Sequence, residues 1–308
     1  MKAMQLVFID GKPVVEAGEI PQPRPGAGEV LVRVRASGVM ITELQWYPTN
    51  HTEAGGPREQ PVPGHEFSGE VAELGDGVSD VAVGDEVYGF NDWFVNGAMA
   101  EFCVVKADVI ATKPARLTHA EAAVVPIGAL TAWQGLFTRA KLQAGERVLI
   151  HGGSGSVGSF AVQLAKQHGA HVISTASARN AALVKELGAE TVIDYKAAPF
   201  EEQVHDLDVV FDTVGGDTLD RSWGVLKAGG RMVTISSDVE NSTEPRIKAA
   251  FFIVEPSREQ LTEVGRLIEA GDLRVLVNAV VSFEQAPAAY ADTISGKLGY
   301  GKVAVTVA

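Results

Sequence analysis

The chain has 308 residues, 46% of them hydrophobic, which is enough to fold around a large core in about two domains. Lys and Arg number 26 against 39 Asp and Glu, and the net charge of -13 repels nucleic-acid phosphates and anionic lipids. We therefore expect neither a nucleic-acid nor a membrane partner. No apolar segment has the length of a signal-peptide core or a transmembrane helix, which predicts a soluble, cytoplasmic protein.

The sequence pattern differs between the two halves of the chain. Most prolines and several short strand-like runs, such as "VLVRVRAS" and "DEVYGF", lie before about residue 118, and they predict a compact antiparallel barrel. From residue 147, strand-like and helix-like segments alternate, beginning with "RVLIH", "SFAVQLAKQHG" and "HVISTAS". This alternation predicts a parallel sheet with helices on both faces.

The C-terminal part adds three predicted elements. They are a strand in "RIKAAFFIVEP", a helix in "SREQLTEVGRLIEAG" and a closing strand in "KVAVTVA". Because an unpaired apolar strand at a sheet edge invites association, "AAFFIVE" predicts a homodimer, the alternative being a tetramer.

A glycine-rich turn, "HGGSGSVG", lies between a predicted strand and a predicted helix. Gly153, Gly155 and Gly158 form a G-x-G-x-x-G pattern, with Ser156 and Val157 inside it. In a strand-turn-helix unit these glycines permit a tight turn, close approach of a pyrophosphate and close helix packing. The pattern therefore predicts dinucleotide binding at the helix N-terminus, the alternative being a plain structural turn.

The end of the next strand indicates which dinucleotide binds. An NAD-preferring site places Asp or Glu there to bond the ribose 2'-hydroxyl, but "HVISTASARN" contains no acid. Ser177 stands at the expected position and Arg179 follows, and both can bind a 2'-phosphate. We predict NADP(H), the alternative being that Arg179 is an exposed charge in the following helix.

Four stretches together suggest a family. "GHEFSGEVAELGDGVSDVAVGDEVYGF", "HGGSGSVG", "STASARNAALVKELGAETVIDY" and "FDTVGGDTLDRSWGVLKAGGRMV" occur in this order. The chain resembles the medium-chain dehydrogenase/reductase superfamily, particularly its zinc-free, quinone-oxidoreductase-like branch. The resemblance implies a GroES-like β-barrel catalytic domain formed by residues 1–122 and 273–308. A doubly wound Rossmann domain would occupy residues 123–272, with the coenzyme in the cleft.

The resemblance also bears on metal. Zinc-dependent relatives use a Cys in the segment matching "ASGVMITE", a His in a G-H-E motif and a third ligand downstream, but Met40 occupies the Cys position here. His65 and Glu66 alone do not make a tetrahedral site, so we predict no metal and interpret His65 as a structural residue that bonds neighbouring backbone. The one cysteine, Cys103, is interpreted as a buried packing residue.

Further coenzyme contacts are implied by the resemblance. It assigns Tyr195 and, more weakly, Lys297 to the 2'-phosphate. The residues that it assigns to the nicotinamide are Thr131, Val214, Gly215, Phe252 and Val254. For each of these residues the alternative is ordinary packing.

The residues around Met40 suggest a substrate pocket. Trp46, Trp93 and Phe94 would join Met40 in an apolar pocket for planar conjugated substrates. Tyr47 is the candidate proton donor, the alternatives being a loop aromatic that covers apolar surface, with water or the coenzyme ribose supplying the proton. Glu43 is interpreted as a structural cap or a surface charge.

These residues predict a reductase. Without a Lewis acid, oxidation of a simple alcohol is disfavoured, whereas hydride addition to a quinone or an enone spreads charge onto a remote oxygen. The predicted function is NADPH-dependent reduction of quinones or α,β-unsaturated carbonyls. The alternatives are a non-catalytic NADPH-binding redox sensor or structural protein, because Met40 replaces the Asn of many zinc-free relatives, and a zinc alcohol dehydrogenase.

Overall fold

The computed structural model describes residues 1–307. Its strands, numbered in chain order, are β1 Lys2–Ile9, β2 Lys12–Glu19, β3 Glu29–Gly38, β4 Glu66–Leu74, β5 Glu86–Phe90, β6 Phe102–Lys106, β7 Ala111–Thr112, β8 Arg147–Ile150, β9 His171–Ala176, β10 Thr191–Asp194, β11 Leu207–Asp212, β12 Leu226–Thr234, β13 Val277–Ser282 and β14 Lys302–Thr306.

The α-helices follow the same order. They are α1 Tyr47–Asn50, α2 His119–Ala122, α3 Pro126–Trp133, α4 Gly158–Gln167, α5 Ala181–Glu186, α6 Gly216–Ser222, α7 Pro245–Ala250, α8 Arg258–Ala270 and α9 Ala286–Tyr290. None of the helices described within residues 1–307 is both long enough and apolar enough to cross a membrane.

The chain forms two compact units. Met1–Ile127 and the segment from Pro256 onward make the first unit, and Gly128–Glu255 makes the second. These borders differ from the predicted ones, because α8 belongs to the first unit. Its Leu261 carbonyl oxygen accepts a hydrogen bond from the Tyr88 hydroxyl at 2.6 Å, and its Arg258 Nε donates to the Ile110 carbonyl at 2.8 Å.

The second unit contains a five-stranded sheet in the order β10-β9-β8-β11-β12. All of its strand pairs are parallel, with Val148 of β8 aligned with Val172 of β9 and Val209 of β11. Val148, Leu149 and Ile150 are fully buried, as expected for a strand covered on both faces. The predicted doubly wound parallel sheet is confirmed.

The first unit is built on a seven-stranded sheet. Its order is β13-β14-β3-β4-β5-β7, with β6 also paired to β3, while β1 and β2 form a separate hairpin. The antiparallel pairing predicted before residue 118 is confirmed, whereas β13 and β14 in the C-terminal part run parallel. Parallel neighbours need a crossover rather than a tight turn, and here α9 lies within the connection.

The segment "AAFFIVE" is not a strand. Its first residues end α7 at Ala250, and Phe251 forms only an isolated bridge to Thr234. Phe252 and Val254 are buried inside the second unit. The predicted edge strand is therefore wrong, and the homodimer stays a prediction without that support.

The bond between Tyr88 and α8 gives a stability prediction. Tyr88 is fully buried, and its hydroxyl reaches a helix carbonyl 173 residues away. Replacing Tyr88 with Phe removes this bond and should lower the free energy of unfolding by about 1 kcal/mol in urea titration. Tyr300→Phe is the matched control, because it makes the same change at a tyrosine that is only half-buried. Equal losses in both variants would contradict the assignment.

Candidate active site

The glycine-rich turn joins β8 to α4 with very little space. A Cβ at Gly158 would lie 2.2 Å from the Gly152 carbonyl oxygen, and a Cβ at Gly153 would lie 2.1 Å from Ser174 Oγ. At Gly155 the nearest atom, again the Gly152 oxygen, would be 3.2 Å away. The first two positions therefore require glycine, whereas Gly155 keeps the outer side of the turn open.

The start of α4 carries unpaired donors. The backbone N–H groups of Ser156, Val157 and Gly158 have no acceptor within residues 1–307, and the N-cap residue Val157 makes no side-chain capping bond. Such groups hold the partial positive charge of a helix N-terminus. The turn thus combines unpaired amide donors with closely packed glycines, an arrangement that fits a diphosphate.

The carboxyl ends of β9 and β10 lie side by side. Ala176 pairs with Asp194, so Ser177 and Tyr195 follow at neighbouring strand ends. Ser177 is half-buried, Arg179 is exposed in the short 3-10 turn Ala178–Asn180, and Tyr195 is 55% exposed. The ammonium of Lys196, a residue that the sequence analysis did not select, lies 5.9 Å from the Tyr195 ring centroid. This edge of the sheet carries two cations.

A buried carboxylate holds the loop after β11. Asp212 accepts hydrogen bonds from the Val214 amide at 3.0 Å, from the Gly215 amide at 3.1 Å and from Thr234 Oγ1 at 2.8 Å. Burial raises the pKa of Asp212, and these hydrogen bonds oppose the rise. Gly215 has φ +81°, and a Cβ there would lie 2.0 Å from Ser236 Oγ, so this backbone is rigidly placed.

The remaining residues predicted near the nicotinamide differ in exposure. Val214 is 55% exposed, whereas Thr131, Phe252 and Val254 are at most 7% exposed. The guanidinium of Arg139 lies 5.5 Å from the Phe252 ring centroid. The last three side chains therefore contribute to the packing of the second unit, and Val214 presents most of its surface.

In the first unit, Glu43 is the centre of a buried network. Its Oε1 accepts from the Gly64 amide at 3.0 Å and from the Tyr290 hydroxyl at 2.6 Å, and its Oε2 lies 2.8 Å from His65 Nδ1. The side chains of Glu43 and His65 are both 0% exposed. Two expectations are therefore wrong: Glu43 is neither a cap nor a surface charge, and the His65 ring bonds a carboxylate rather than backbone.

A second buried carboxylate, Glu66, lies next in sequence. It contacts the Lys302 ammonium and accepts from the Ile127 amide at 3.0 Å. Burial raises the pKa of Glu66, while Lys302 and the Ile127 amide act in the opposite direction. Glu66 is thus fully occupied by protein donors.

The predicted pocket residues are only partly grouped. The Trp93 ring centroid lies 5.3 Å from that of Trp46 and 5.2 Å from that of His65. Tyr47 is 55% exposed, and its ring stacks on His51 at a centroid distance of 4.1 Å. The structure therefore brings Trp46, Trp93 and His65 together, whereas Met40 and Phe94 are half-buried nearby in sequence.

Comparison with known proteins agrees with this architecture. Residues 26–115 match the family described as "Alcohol dehydrogenase GroES-like domain", and residues 187–305 match "Zinc-binding dehydrogenase". The chain is 33% identical to "NAD(P)H oxidoreductase RTN4IP1, mitochondrial" from Danio rerio over 91% of its length and 84% of that protein. It is 30% identical to "Quinone-oxidoreductase QR1, chloroplastic" from Triphysaria versicolor, covering 99% and 98% of the two chains.

A solved structure agrees as well. The quinone oxidoreductase from Coxiella burnetii superimposes with a TM-score of 0.87 and 30% identity, covering 100% of this chain and 99% of that one. The chain belongs to the medium-chain dehydrogenase/reductase superfamily.

Zinc is the metal that this superfamily implies, and the side chains present do not fit it. Within residues 1–307 there is no group of three or more His, Cys, Asp or Glu side chains arranged to hold a metal ion. Met40 stands at the expected Cys position, and Glu66 is occupied by Lys302 and Ile127. Cys103 is buried in a separate apolar cluster, where burial raises the pKa of its thiol to about 12. A thiolate ligand is therefore not available there.

Tyr290 was not among the residues predicted from the sequence, whereas Lys297 was. Tyr290 reaches Glu43 across 247 residues, and no local pattern signals such a contact. Lys297, the weak candidate for a basic coenzyme contact, bonds the carbonyl of Asp292 at 3.1 Å and also contacts its carboxylate. Lys297 thus has a local partner.

The glycine turn gives a prediction on stability and binding. Gly158→Ala forces a Cβ into the Gly152 carbonyl and should lower the free energy of unfolding by about 1–3 kcal/mol. The same shift should weaken coenzyme binding, which is measurable by NADPH fluorescence titration. Gly224→Ala serves as control, because no atom lies within 4 Å of a Cβ built there. A Gly158 variant that matches this control in both measurements would contradict the close-packed turn.

Proposed function

We propose that this oxidoreductase binds NADPH and reduces quinones or α,β-unsaturated carbonyls without zinc. The observation that carries the proposal is that the N-terminus of α4 has unpaired amide donors and that the end of β9 has no acidic residue. Three amide groups at the start of α4 are unpaired within residues 1–307, and the β9 end presents Ser177 and Arg179. The first feature favours a diphosphate and the second a 2'-phosphate.

Each part of the coenzyme has its proposed residues. Ser156, Val157 and Gly158 donate amide hydrogen bonds to the diphosphate, and Gly153 and Gly155 leave room for it. Ser177, Arg179 and Tyr195 bind the 2'-phosphate, with Lys196 adding positive charge at the same edge. The proposed nicotinamide contacts are Thr131, Val214, Gly215, Phe252 and Val254.

The proposed chemistry follows from two features, a coenzyme that supplies a hydride and side chains that do not fit zinc. When bound, the coenzyme supplies a hydride. The donor set around His65 does not fit zinc, so no Lewis acid assists removal of an alcohol proton. Quinones and enones need no such assistance, because the charge that develops on hydride addition moves to an oxygen that hydrogen-bond donors can stabilise.

The substrate class is supported by the aromatic residues of the first unit. Trp46 and Trp93 contact edge to face at 5.3 Å, and they give planar rings against which a conjugated substrate can stack. Met40 and Phe94 complete the proposed apolar lining. Tyr47 stays a predicted proton donor. Cytoplasmic localisation and a homodimer also stay predictions.

Coenzyme and acceptor preference can be tested directly. NADPH oxidation should be followed at fixed enzyme concentration against a panel of quinones and enones, with NADH as control. We expect turnover with NADPH to exceed turnover with NADH at equal concentration, and primary alcohols with NADP⁺ to give none. A preference for NADH would contradict the reading of Ser177 and Arg179. Tight NADPH binding without turnover on any acceptor would favour the non-catalytic sensor.

A single added charge tests the 2'-phosphate site. Ser177→Asp should weaken NADPH binding by about 1–3 kcal/mol, or roughly 5- to 150-fold, and NADH binding much less, because the carboxylate repels the phosphate. Isothermal calorimetry with both coenzymes measures the difference. Ser295→Asp adds the same charge at an exposed position in the first unit and is the matched control. Equal weakening of both coenzymes by Ser177→Asp would refute the assignment.

A further inference from the structure

His151 is a buried histidine between β8 and the rest of the glycine-rich turn. It is 1% exposed, and its ring packs edge to face against Phe200 at a centroid distance of 4.6 Å. Both ring nitrogens have hydroxyl partners, because Nδ1 lies 3.2 Å from Thr175 Oγ1 and Nε2 lies 2.9 Å from Ser222 Oγ. The ring therefore joins β9 to α6 inside the second unit.

The partners of the two hydroxyls assign the ring proton. Ser222 Oγ donates to the Thr218 carbonyl at 2.6 Å, so it is left to accept a hydrogen from Nε2. Thr175 Oγ1 accepts from the Gly152 amide at 3.1 Å, and its own hydrogen faces Nδ1. In the opposite tautomer, Nδ1 could not accept the Thr175 hydrogen. We call this series of bonds, from Gly152 to Thr218, the His151 relay.

The ring of His151 is neutral. Burial lowers the pKa of His151 to about 4, Arg221 acts in the same direction and Glu201 opposes the change. Arg221 belongs to α6 and Glu201 to the 3-10 turn Phe200–Glu202, and the two side chains pair with each other at 2.9 Å. Only a neutral imidazole can accept at one nitrogen while it donates at the other, so the relay needs this form.

Thr175 fixes two successive peptides of the glycine-rich turn. Its Oγ1 holds the Gly152 amide, and its backbone oxygen accepts from the Gly153 amide at 3.0 Å. Because a peptide is planar, the second bond also fixes the Gly152 carbonyl. That carbonyl accepts from the Gly155 amide at 2.8 Å and is the oxygen closest to a Cβ built at Gly158. The position of Thr175 thus sets the turn whose amides are proposed to bind the diphosphate.

The backbone of His151 holds a second loop at the same edge of the sheet. Its carbonyl oxygen accepts from Thr213 Oγ1 at 2.7 Å, and a Cβ at Gly152 would lie 2.8 Å from that hydroxyl. Val214 and Gly215, which are proposed nicotinamide contacts, follow directly in the chain. One buried residue therefore connects two segments that are proposed to contact the coenzyme.

We propose that His151, acting through the Thr175 hydroxyl, is a positioning residue that orders the glycine-rich turn for the coenzyme diphosphate. This inference rests on the proposed function and assigns to neither side chain a contact with the coenzyme. The diphosphate is common to NADPH and NADH, so loss of the His151 relay should weaken both coenzymes by the same factor. A change at Ser177, in contrast, should affect NADPH more.

Two variants of Thr175 test the relay. Thr175→Val removes the hydroxyl and leaves the Gly152 amide without its acceptor, whereas Thr175→Ser retains the hydroxyl. In isothermal calorimetry, Thr175→Val should raise the Kd of NADPH and of NADH about 5- to 30-fold, and Thr175→Ser less than about threefold. At saturating coenzyme, kcat and the KM for the acceptor should stay within about twofold in both variants, because the relay acts on coenzyme binding. Wild-type affinity in Thr175→Val, or equal losses in the two variants, overturns the proposal.

The histidine is tested by a second pair of variants. An Asn side chain can place an amide oxygen where Nδ1 accepts from Thr175, whereas Gln reaches the position of Nε2 and serves only Ser222. His151→Gln should therefore weaken both coenzymes as Thr175→Val does, and His151→Asn much less, although both variants lose buried packing. His119→Gln is the matched control and should keep wild-type coenzyme affinity, because His119 Nδ1 bonds Ser68 Oγ at 2.8 Å in the first unit. Equal weakening by His151→Asn and His151→Gln would indicate general damage to the fold and contradict the relay.

The tautomer can be measured in the wild-type protein. In protein labelled with ¹⁵N at histidine, with the signals of His151 assigned from the His151→Asn spectrum, Nε2 should be protonated and Nδ1 unprotonated between about pH 6 and 8. A proton on Nδ1, or titration of this ring in that range, overturns the proposal. If wild-type protein binds neither NADPH nor NADH in calorimetry, the proposed function fails and the inference with it. Bound coenzyme with unchanged affinity in Thr175→Val refutes only the positioning role.

Discussion

The close approach of Gly158, at the start of α4, to the Gly152 carbonyl determines how the helix of the glycine-rich turn can begin. Because a Cβ at Gly158 would lie 2.2 Å from that oxygen, the helix can begin there only with a residue that lacks a side chain. The amides of Ser156 and Val157 beside this close start have no acceptor within residues 1–307. The requirement for glycine and the presence of unpaired amide donors therefore have the same origin.

Local charge, not overall charge, explains how an acidic protein can bind a polyanion. The net charge is -13, which opposes long-range attraction of a phosphorylated coenzyme. The ends of β9 and β10 are nevertheless paired through Ala176 and Asp194. Arg179 follows Ser177 after the first strand, and Lys196 follows Tyr195 after the second, so both cations lie at the same edge of the sheet. Short-range donors can outweigh a diffuse field because salt screens charges separated by more than about 8 Å.

The first unit shows how a family position can be given a different use. His65 stands in the motif that supplies a zinc ligand in zinc-dependent relatives, yet Met40 cannot replace the missing thiolate, and Glu66 is held by Lys302. The imidazole is nevertheless held in one orientation, because its Nδ1 lies 2.8 Å from Glu43 Oε2. Because function resides in sites and not in folds, the superfamily assignment by itself does not define the role of this histidine.

Local patterns in the sequence determined the parallel sheet, the glycine turn and the acid-free strand end at Ser177. Each depends on residues close together in the chain, where periodicity and turn chemistry act directly. Tertiary structure alone decided that α8 joins the first unit, that the segment around Phe252 is not an edge strand, and that Glu43 is buried. The Glu43–Tyr290 bond joins residues 247 apart, and no pattern in the chain encodes such a meeting, because it exists only once both elements have packed.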